Sequence, residues 1–211
     1  GNSICYHEDM ITPEALRPFL PTALEKTDFK NLGEKYAGKV RDVYRQPKEK
    51  RAILIATDRQ SAFDIQWCTI PLKGQALNQL SAWWFEQVKD IMPNQVIAVP
   101  DPNAMVVKDL TMLRVEIVVR GYLTGSTGTS AWVNYNKGVR NFCGNTLPEG
   151  LKKNQRFKKP IITPSTKAEH GAHDESISGE EIIKRKLVDE TIYRQMEKAA
   201  LKLFDYGTKL V

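Results

Sequence analysis

In residues 113–120, Leu113, Val115, Ile117 and Val119 alternate with Arg114, Glu116, Val118 and Arg120. A strand turns successive side chains to opposite faces, so this period of two specifies a β-strand with an apolar face and a charged one. Glu116 and Arg120 then share a face, about 14 Å apart by strand rise. A solvated sheet face would explain them equally well if the segment stood alone. It is followed, however, by Gly121, Thr124, Gly125, Ser126, Thr127, Gly128, Thr129 and Ser130, a turn rich in glycine and hydroxyls that opens a helix. A helix cap needs one hydroxyl, not five. Backbone N–H groups, a helix dipole and an upstream arginine fork suit an anion such as phosphate.

Three other segments carry chemistry. In Gly38-Lys39-Val40-Arg41-Asp42 the glycine permits a tight turn, and the two cations share a face of an extended chain. Such a hairpin could lie over nucleotide phosphates, although it matches neither the Walker A pattern nor the three-glycine kinase loop. Residues 57–64 follow an apolar strand at 52–56. There Ser61 and Asp64 could hold ribose hydroxyls or a metal-bound water, or could serve turn geometry alone. Residues 163–176 gather Thr166, Lys167, His170, His173 and Asp174. The two histidines have a metal-like separation but no third ligand, so contacts to a polar substrate fit better than zinc.

The remaining sequence reads as mixed helices and strands. Thr12 and Pro13 start a helix, Thr22 and Glu25 have capping-box spacing for a second short turn, and a hairpin spans residues 36–56. Residues 75–90 form a helix whose Leu77, Leu80, Trp84 and Val88 make a core stripe, with Trp83 beside it. Strands follow at 96–99 and, as a pair, at 105–108 and 113–122. A short helix fits residues 129–137, ended by Gly138. Residues 139–177 read as irregular, with a solvated basic loop at Lys152, Lys153, Arg156, Lys158 and Lys159. Ser178 and Glu181 open a helical region to about Phe204, broken near Val188, with Gly207 as its terminator. Leu210 and Val211 resemble a strand start, which suggests a partial chain. The irregular order of strands and helices indicates an α+β fold rather than a doubly wound sheet.

The 211 residues suffice for one large domain or two lobes, and 41% hydrophobic with 27% charged residues is ordinary for a globular protein. No apolar run approaches the ~20 residues of a membrane span, and the first residues lack the pattern of a signal peptide. Cys5, Cys68 and Cys143 are odd in number and unpaired in spacing, which fits a reducing cytoplasm. A net charge of +6 points to anionic partners. Because most cations are interleaved with acids, phosphorylated metabolites fit better than nucleic acid.

Taken together and in order, Gly38-Lys39-Val40-Arg41-Asp42-Val43-Tyr44, Ser61-Ala62-Phe63-Asp64, Val118-Val119-Arg120-Gly121-Tyr122-Leu123-Thr124-Gly125-Ser126 and Thr166-Lys167 through His173-Asp174 resemble the SAICAR synthetase family. That family makes phosphoribosylaminoimidazole-succinocarboxamide in purine biosynthesis, and the resemblance runs from about residue 10 onward. It implies an α+β fold of antiparallel sheets and helices, distantly like protein kinases and ATP-grasp enzymes. ATP would lie in a cleft between an N-terminal subdomain, residues 1–110, and a substrate-binding one, residues 111–211. The implied reaction is ATP- and Mg2+-dependent ligation of the carboxylate of carboxyaminoimidazole ribonucleotide (CAIR) to the amine of L-aspartate.

By that resemblance Lys39, Val40, Arg41 and Val43 cover ATP, and Lys108 and Met112 meet it from a hinge-like segment. Glu116 helps hold the CAIR carboxylate through magnesium, while Arg120 and Ser126 bind CAIR. Ser61 and Asp64 line the same cleft. Lys167, His173 and Asp174 contact CAIR or aspartate, with Lys167 and Asp174 as catalytic candidates. The implied partners are small molecules rather than nucleic acid or membrane, in a monomer or homo-oligomer. Members of the family continue beyond a segment like 207–211 into further acidic, catalytic residues, so the 211-residue chain alone is expected to be inactive. A kinase-like phosphotransferase and a basic nucleic-acid-binding module are the competing readings.

Overall fold

The computed structural model describes residues 12–62, 65–167 and 174–210. The chain divides into two compact units, Gly1–Leu110 and Thr111–Val211.

In the first unit, Thr12 caps α1 (Pro13–Leu16) by accepting from the Ala15 N–H at 3.3 Å, and a 3-10 helix, Arg17–Thr22, continues it. Thr22 therefore closes a helical turn and does not open one, because its hydroxyl donates back to the Phe19 carbonyl at 2.9 Å. Strands β1 (Glu34–Ala37), β2 (Arg41–Gln46) and β3 (Arg51–Ala56) form an antiparallel meander. The hairpin β4 (Arg59–Ala62) and β5 (Ile65–Thr69) leads into α2 (Lys73–Gln87), and β6 (Val96–Asp101) and β7 (Ala104–Lys108) complete a five-stranded sheet. Its order is β1-β2-β3-β7-β6, so β7 pairs with β3 and β6 and not with residues 113–122. Pro100 lies within β6, an edge strand where a missing N–H is tolerated.

Helix α2 meets this sheet by a face the apolar stripe does not mark. Gly74 and Asn78 are its buried residues, and Ala82 and Phe85 pack on the cluster of Ala52, Met105 and Val107. A Cβ at Gly74 would stand 2.3 Å from the Ala56 carbonyl oxygen, so close backbone approach chooses the face. Asn78 fixes it by donating to the Pro102 and Ala104 carbonyls at 3.0 and 3.3 Å. Leu80 and Trp83 are left about half exposed, at 53% and 45%.

The second unit begins with β8 (Val115–Glu116) and β9 (Val119–Tyr122), which pair with β13 (Ser165–Thr166) and β12 (Arg156–Ile162). One register runs through both ladders, from Ile161 opposite Arg120 to Thr166 opposite Val115. The expected long strand is thus split near residue 117, opposite Pro164, which has no N–H to contribute. Its alternation survives: Val115 is buried and Ile117 packs beside it in the cluster of Ile177, Ile182, Val188 and Tyr193. The seven residues of β12 replace the irregular stretch expected here, and they take Arg156, Lys158 and Lys159 out of a loop and into a strand.

Between these strands lie α3 (Ala131–Asn136), β10 (Asn141–Phe142) and β11 (Asn145–Thr146), around a second core of Leu123, Ala131, Tyr135, Phe142 and Leu147. Ser178 caps α4 (Gly179–Lys184) through the Glu181 N–H at 3.2 Å, and after a break containing buried Val188 the chain enters α5 (Glu190–Leu210). That helix passes through Gly207 to Leu210, so neither the expected terminator nor a strand start at Leu210 occurs; Val211 lies outside the described residues. Packing explains the continuation. A Cβ at Gly121 would stand 3.0 Å from the Phe204 ring, and beyond it a Lys209–Asp205 ion pair at 2.7 Å supports the last turn. No helix among the described residues is long and apolar enough to cross a membrane.

Candidate functional site

The turn between β1 and β2 closes when the Gly38 N–H donates to the Arg41 carbonyl at 2.8 Å. Three consecutive carbonyls within it each accept hydrogen bonds from Arg59 or Thr57. Arg59, buried at the start of β4, donates from Nη2 to Gly38 O at 2.9 Å and from Nε to Lys39 O at 3.2 Å. The Val40 carbonyl accepts from the Thr57 hydroxyl at 2.8 Å and from its N–H at 3.1 Å. Arg59 also donates to the Glu25 carbonyl and, at 2.9 Å, to Asp42 Oδ1.

Asp42 is fully buried, and its other oxygen accepts from the Thr27 N–H and hydroxyl, both at 2.8 Å, with Lys35 Nζ at 3.3 Å. Burial alone would raise its pKa. The bonds from Thr27, Arg59 and Lys35 outweigh burial, so the carboxyl titrates below the ordinary aspartate value.

On the opposite face of this sheet a cavity of about 350 Å³ opens against α2. Val40 and Arg41 form one end with Lys73, while Leu54, Met105 and Phe85 give an apolar wall. Its volume falls in the range of small-molecule sites. The start of α2 is fixed here by Asp58, which accepts from Gly74 N at 2.7 Å and from Leu24 N at 2.8 Å.

Of the residues expected to meet a nucleotide, the structure brings Val40 and Arg41 to this cavity, with Lys39 in the same turn. Val43 instead packs into the core beside Leu54. Lys108 ends β7, exposed, and Met112 is 75% exposed; neither lines the cavity. Ser61 is half-buried in β4 opposite Gln66, and Asp64 lies outside the described residues.

In the second unit the register places Glu116 opposite Ser165, and the next residue but one, Lys167, forms an ion pair with the Glu116 carboxylate. The Lys167 N–H bonds the Arg114 carbonyl at 2.9 Å and so continues the ladder. Glu116 foremost, and then the charge of Asp174, raise the Lys167 pKa; it is a standing cation at neutral pH and not a resting base.

Arg120 donates from Nε to the Thr163 hydroxyl at 2.8 Å and reaches the Thr129 carbonyl at 3.5 Å. Its half-burial lowers its pKa, within a range where guanidinium stays charged. These groups make a carboxylate, an ammonium and a guanidinium along two strand pairs that share one register.

The hydroxyl-rich turn is less available to an anion than its sequence suggests. Thr124 Oγ1 donates to Asn154 Oδ1 at 2.6 Å, and Ser130 is occupied as the cap of α3 and as donor to Thr127 O at 2.7 Å. Ser126 is exposed, and α3 has only six residues. His170 and His173 lie outside the described residues, among which no three His, Cys, Asp or Glu side chains converge on a metal position.

The residues whose role motif reasoning missed are those that hold the turns and strands in place: Asp42, Arg59, Thr57 and Thr163. Only Asp42 carried a signal, as a charge two residues from Tyr44 on the face that alternation buries.

A five-stranded antiparallel sheet beside a cavity of small-molecule size in the first unit, and paired strands bearing Glu116, Lys167 and Arg120 in the second, define an α+β protein. The family model described as SAICAR synthetase matches residues 34–211, and the chain belongs to that family. It is 43% identical over 208 residues to the chloroplastic phosphoribosylaminoimidazole-succinocarboxamide synthase of Vigna aconitifolia, covering 97% of this chain and 60% of the relative. With the synthase of Bacteroides thetaiotaomicron it shares 49% identity over 191 residues, covering 89% and 59%. Among solved structures, SAICAR synthase from Saccharomyces cerevisiae, complexed with SAICAR, superimposes with a TM-score of 0.73 at 31% identity, over 87% of this chain and 65% of that one. The chain spans about 60% of the length of these curated relatives.

Proposed function

We propose that this chain carries nucleotide- and ribonucleotide-binding parts of an ATP-dependent ligase that joins the carboxylate of CAIR to the amine of L-aspartate. The observation that carries the reading is the shared register of two antiparallel pairs, which bear Glu116, with Lys167 ion-paired to it, and Arg120, in a SAICAR synthetase family member. In the yeast relative, the solved complex holds SAICAR, the product of that reaction.

The charges suit the chemistry. A carboxylate is a poor electrophile, so one CAIR carboxylate oxygen attacks the γ-phosphorus of ATP, ADP leaves, and an acyl phosphate forms. The neutral amine of aspartate then attacks the carbonyl carbon, inorganic phosphate departs, and the nitrogen loses a proton. Arg120 binds the ribonucleotide as a fixed cation. Lys167, held protonated by Glu116, offsets negative charge that grows on the transferring group.

Lys39 and Arg41 serve the nucleotide phosphates, and the wall of Leu54 and Met105 receives the base. Asp174 joins Lys167 and Arg120 as a polar contact to substrate. Mg2+ needs only one or two carboxylates besides phosphate oxygens, and Glu116, with its side chain 44% exposed, fits that role once Lys167 moves to substrate. When bound, the ion would neutralise charge between the phosphates.

Thermal-shift titration with ATP–magnesium and with CAIR, separately and together, tests the reading. A ligand at 100 times its Kd stabilises the native state by about 2.7 kcal/mol, so each is expected to raise Tm. No shift with either ligand overturns it.

A further inference from the structure

We propose that Thr163 is a positioning residue, whose hydroxyl aims the Arg120 guanidinium at an anionic group of the ribonucleotide while leaving its charge intact. This rests on the reading of Arg120 as a ribonucleotide contact. Alternation and register bring the two side chains together. Val118 and Arg120, two residues apart along the chain, share a face. The register that sets Ile161 opposite Arg120 and Ile162 opposite Val119 puts Thr163 opposite Val118, and its N–H donates to the Val118 carbonyl at 2.8 Å. Thr163 is thereby a diagonal neighbour of Arg120.

A threonine hydroxyl has one proton to give and lone pairs to accept with. Here the proton goes to the Val118 carbonyl at 3.3 Å, and a lone pair accepts from Arg120 Nε at 2.8 Å. The backbone of the neighbouring strand thus fixes the direction of the hydroxyl, and the hydroxyl fixes the arginine. Nη2 reaches the Thr129 carbonyl at 3.5 Å. Both contacts fall on Nε and Nη2, so Nη1 is the donor group left to a ligand. Thr163 is 3% exposed, so it acts through Arg120 and not on the ligand itself.

Arg120 differs in this from the arginines that serve the fold. Arg45, Arg59, Arg140, Arg185 and Arg194 each pair with a carboxylate, those of Asp109, Asp42, Glu149, Glu175 and Glu197 in turn. Among the described residues Arg120 has no such pair, and its acceptors are a hydroxyl and a carbonyl. The titratable neighbour that acts on it is the Cys143 thiol, which burial pushes up to about 11, so at neutral pH it brings no negative charge. A half-buried guanidinium held only by neutral acceptors is oriented without being neutralised, and its charge is kept for an anion. A carboxylate in place of Thr163 would hold the fork and cancel that charge.

A double-mutant cycle tests the role. Affinity for CAIR is measured by titration calorimetry on the wild-type protein, Thr163→Val, Thr163→Ser, Arg120→Gln and the Thr163→Val, Arg120→Gln double variant, with circular dichroism to establish folding. Thr163→Val keeps the shape of the side chain and removes the hydroxyl, and it is expected to weaken CAIR binding about tenfold. Thr163→Ser, which restores the hydroxyl, is expected to stay within about threefold of wild type. In the Arg120→Gln background Thr163→Val is expected to change affinity by less than about twofold, since a residue that acts through Arg120 has nothing left to orient.

Unchanged affinity in Thr163→Val, an equal loss in both backgrounds, or no recovery with Thr163→Ser overturns the positioning role. Should Thr163→Val not fold, Thr163→Ala takes its place in the cycle. Should Arg120→Gln bind too weakly to measure, recovery by Thr163→Ser decides. A wild-type protein that does not bind CAIR overturns the ribonucleotide reading and this proposal with it. Wild-type binding that is lost in Arg120→Gln but unmoved by Thr163→Val overturns this proposal alone.

Discussion

Two turns of this molecule share a sequence grammar of glycine followed by polar residues, yet they are held by different means. The Gly38–Arg41 turn is clamped from behind by a buried charge network, Arg59 with Asp42 and Thr27. The turn after β9 is held near the surface by hydroxyl and backbone bonds, chiefly Ser130 to Thr127 and Thr124 to Asn154. In the first case the groups that fix the turn are buried, while Val40 and Arg41 reach the cavity. In the second, Ser130 and Thr124 are engaged in bonds that hold the loop, and the charged side chains Arg120 and Glu116 lie on the strands before it. Glycine-rich turns therefore identify where a backbone must bend; the groups that fix the bend decide what the turn can offer.

The comparison breaks most sharply at Asp42. Replacing it by Asn leaves the Arg59 charge buried without a counter-ion, and removing one member of a buried pair typically costs 3–5 kcal/mol. Asp42→Asn is thus expected to lower the stability of the first unit by about that much in urea denaturation, read against the second unit, whose transition stays in place.

The same variant changes the acid limb. The native Asp42 carboxyl titrates below its unfolded value of about 3.9, so its stabilisation is complete above that pH and is lost as pH falls through the depressed native value. Wild type is expected to lose first-unit stability more steeply below about pH 4 than Asp42→Asn does. Parallel acid limbs would show that the pair contributes nothing.

A smaller effect is expected at Gly125, in the other turn. It has φ of +108°, and a Cβ there would stand 2.3 Å from the Ser130 Cβ. Gly125→Ala combines backbone strain of about 1–3 kcal/mol with loss of the α3 cap geometry. Denaturation should report destabilisation of the second unit alone, and CAIR affinity should fall with it, if Arg120 depends on Thr129 for its position. Unchanged CAIR affinity in the folded variant would separate the turn from the site.

What sequence could show of all this followed local periodicity. The alternation of residues 113–120 placed Val115 and Ile117 in a core and Glu116 and Arg120 on one face, because a single strand carries that information. The interruption near residue 117 depended on Pro164, more than forty residues away, and a pattern within one strand is blind to its partner. Helix α2 misled for a related reason: Leu77, Leu80 and Trp84 have ideal spacing, but the close approach of Gly74 to Ala56 turned Asn78 and Phe85 to the sheet instead.

Gly207 failed as a terminator because the helix is supported by tertiary contact at Phe204, which outweighs the roughly 1 kcal/mol that glycine costs in a helix. Arg59 was illegible in role, since its four acceptors come from segments distant from it in sequence.

The least costly change for the fold is also the one that bears most directly on the chemistry. Lys167 and Glu116 are about half exposed, at 50% and 44%, and exposed ion pairs contribute about 0–1 kcal/mol. Lys167→Met is therefore expected to leave Tm nearly unchanged. If the Lys167 charge serves only the ladder, substrate affinity will be equally indifferent. If it serves the transferring phosphoryl group, CAIR binding will weaken, and Lys167→Arg, which keeps the charge, will recover part of the loss. Glu116→Gln distinguishes the two further. It leaves the Lys167 ammonium without its anion, so direct attraction between the cation and CAIR strengthens in the absence of Mg2+, while any gain from added Mg2+ disappears because the carboxylate that would carry the ion is gone. A variant pair with stable folds and opposite responses to magnesium would mark this exposed ladder as a binding site whose charges are kept for ligand, in contrast to the buried pair that keeps its charges for the fold.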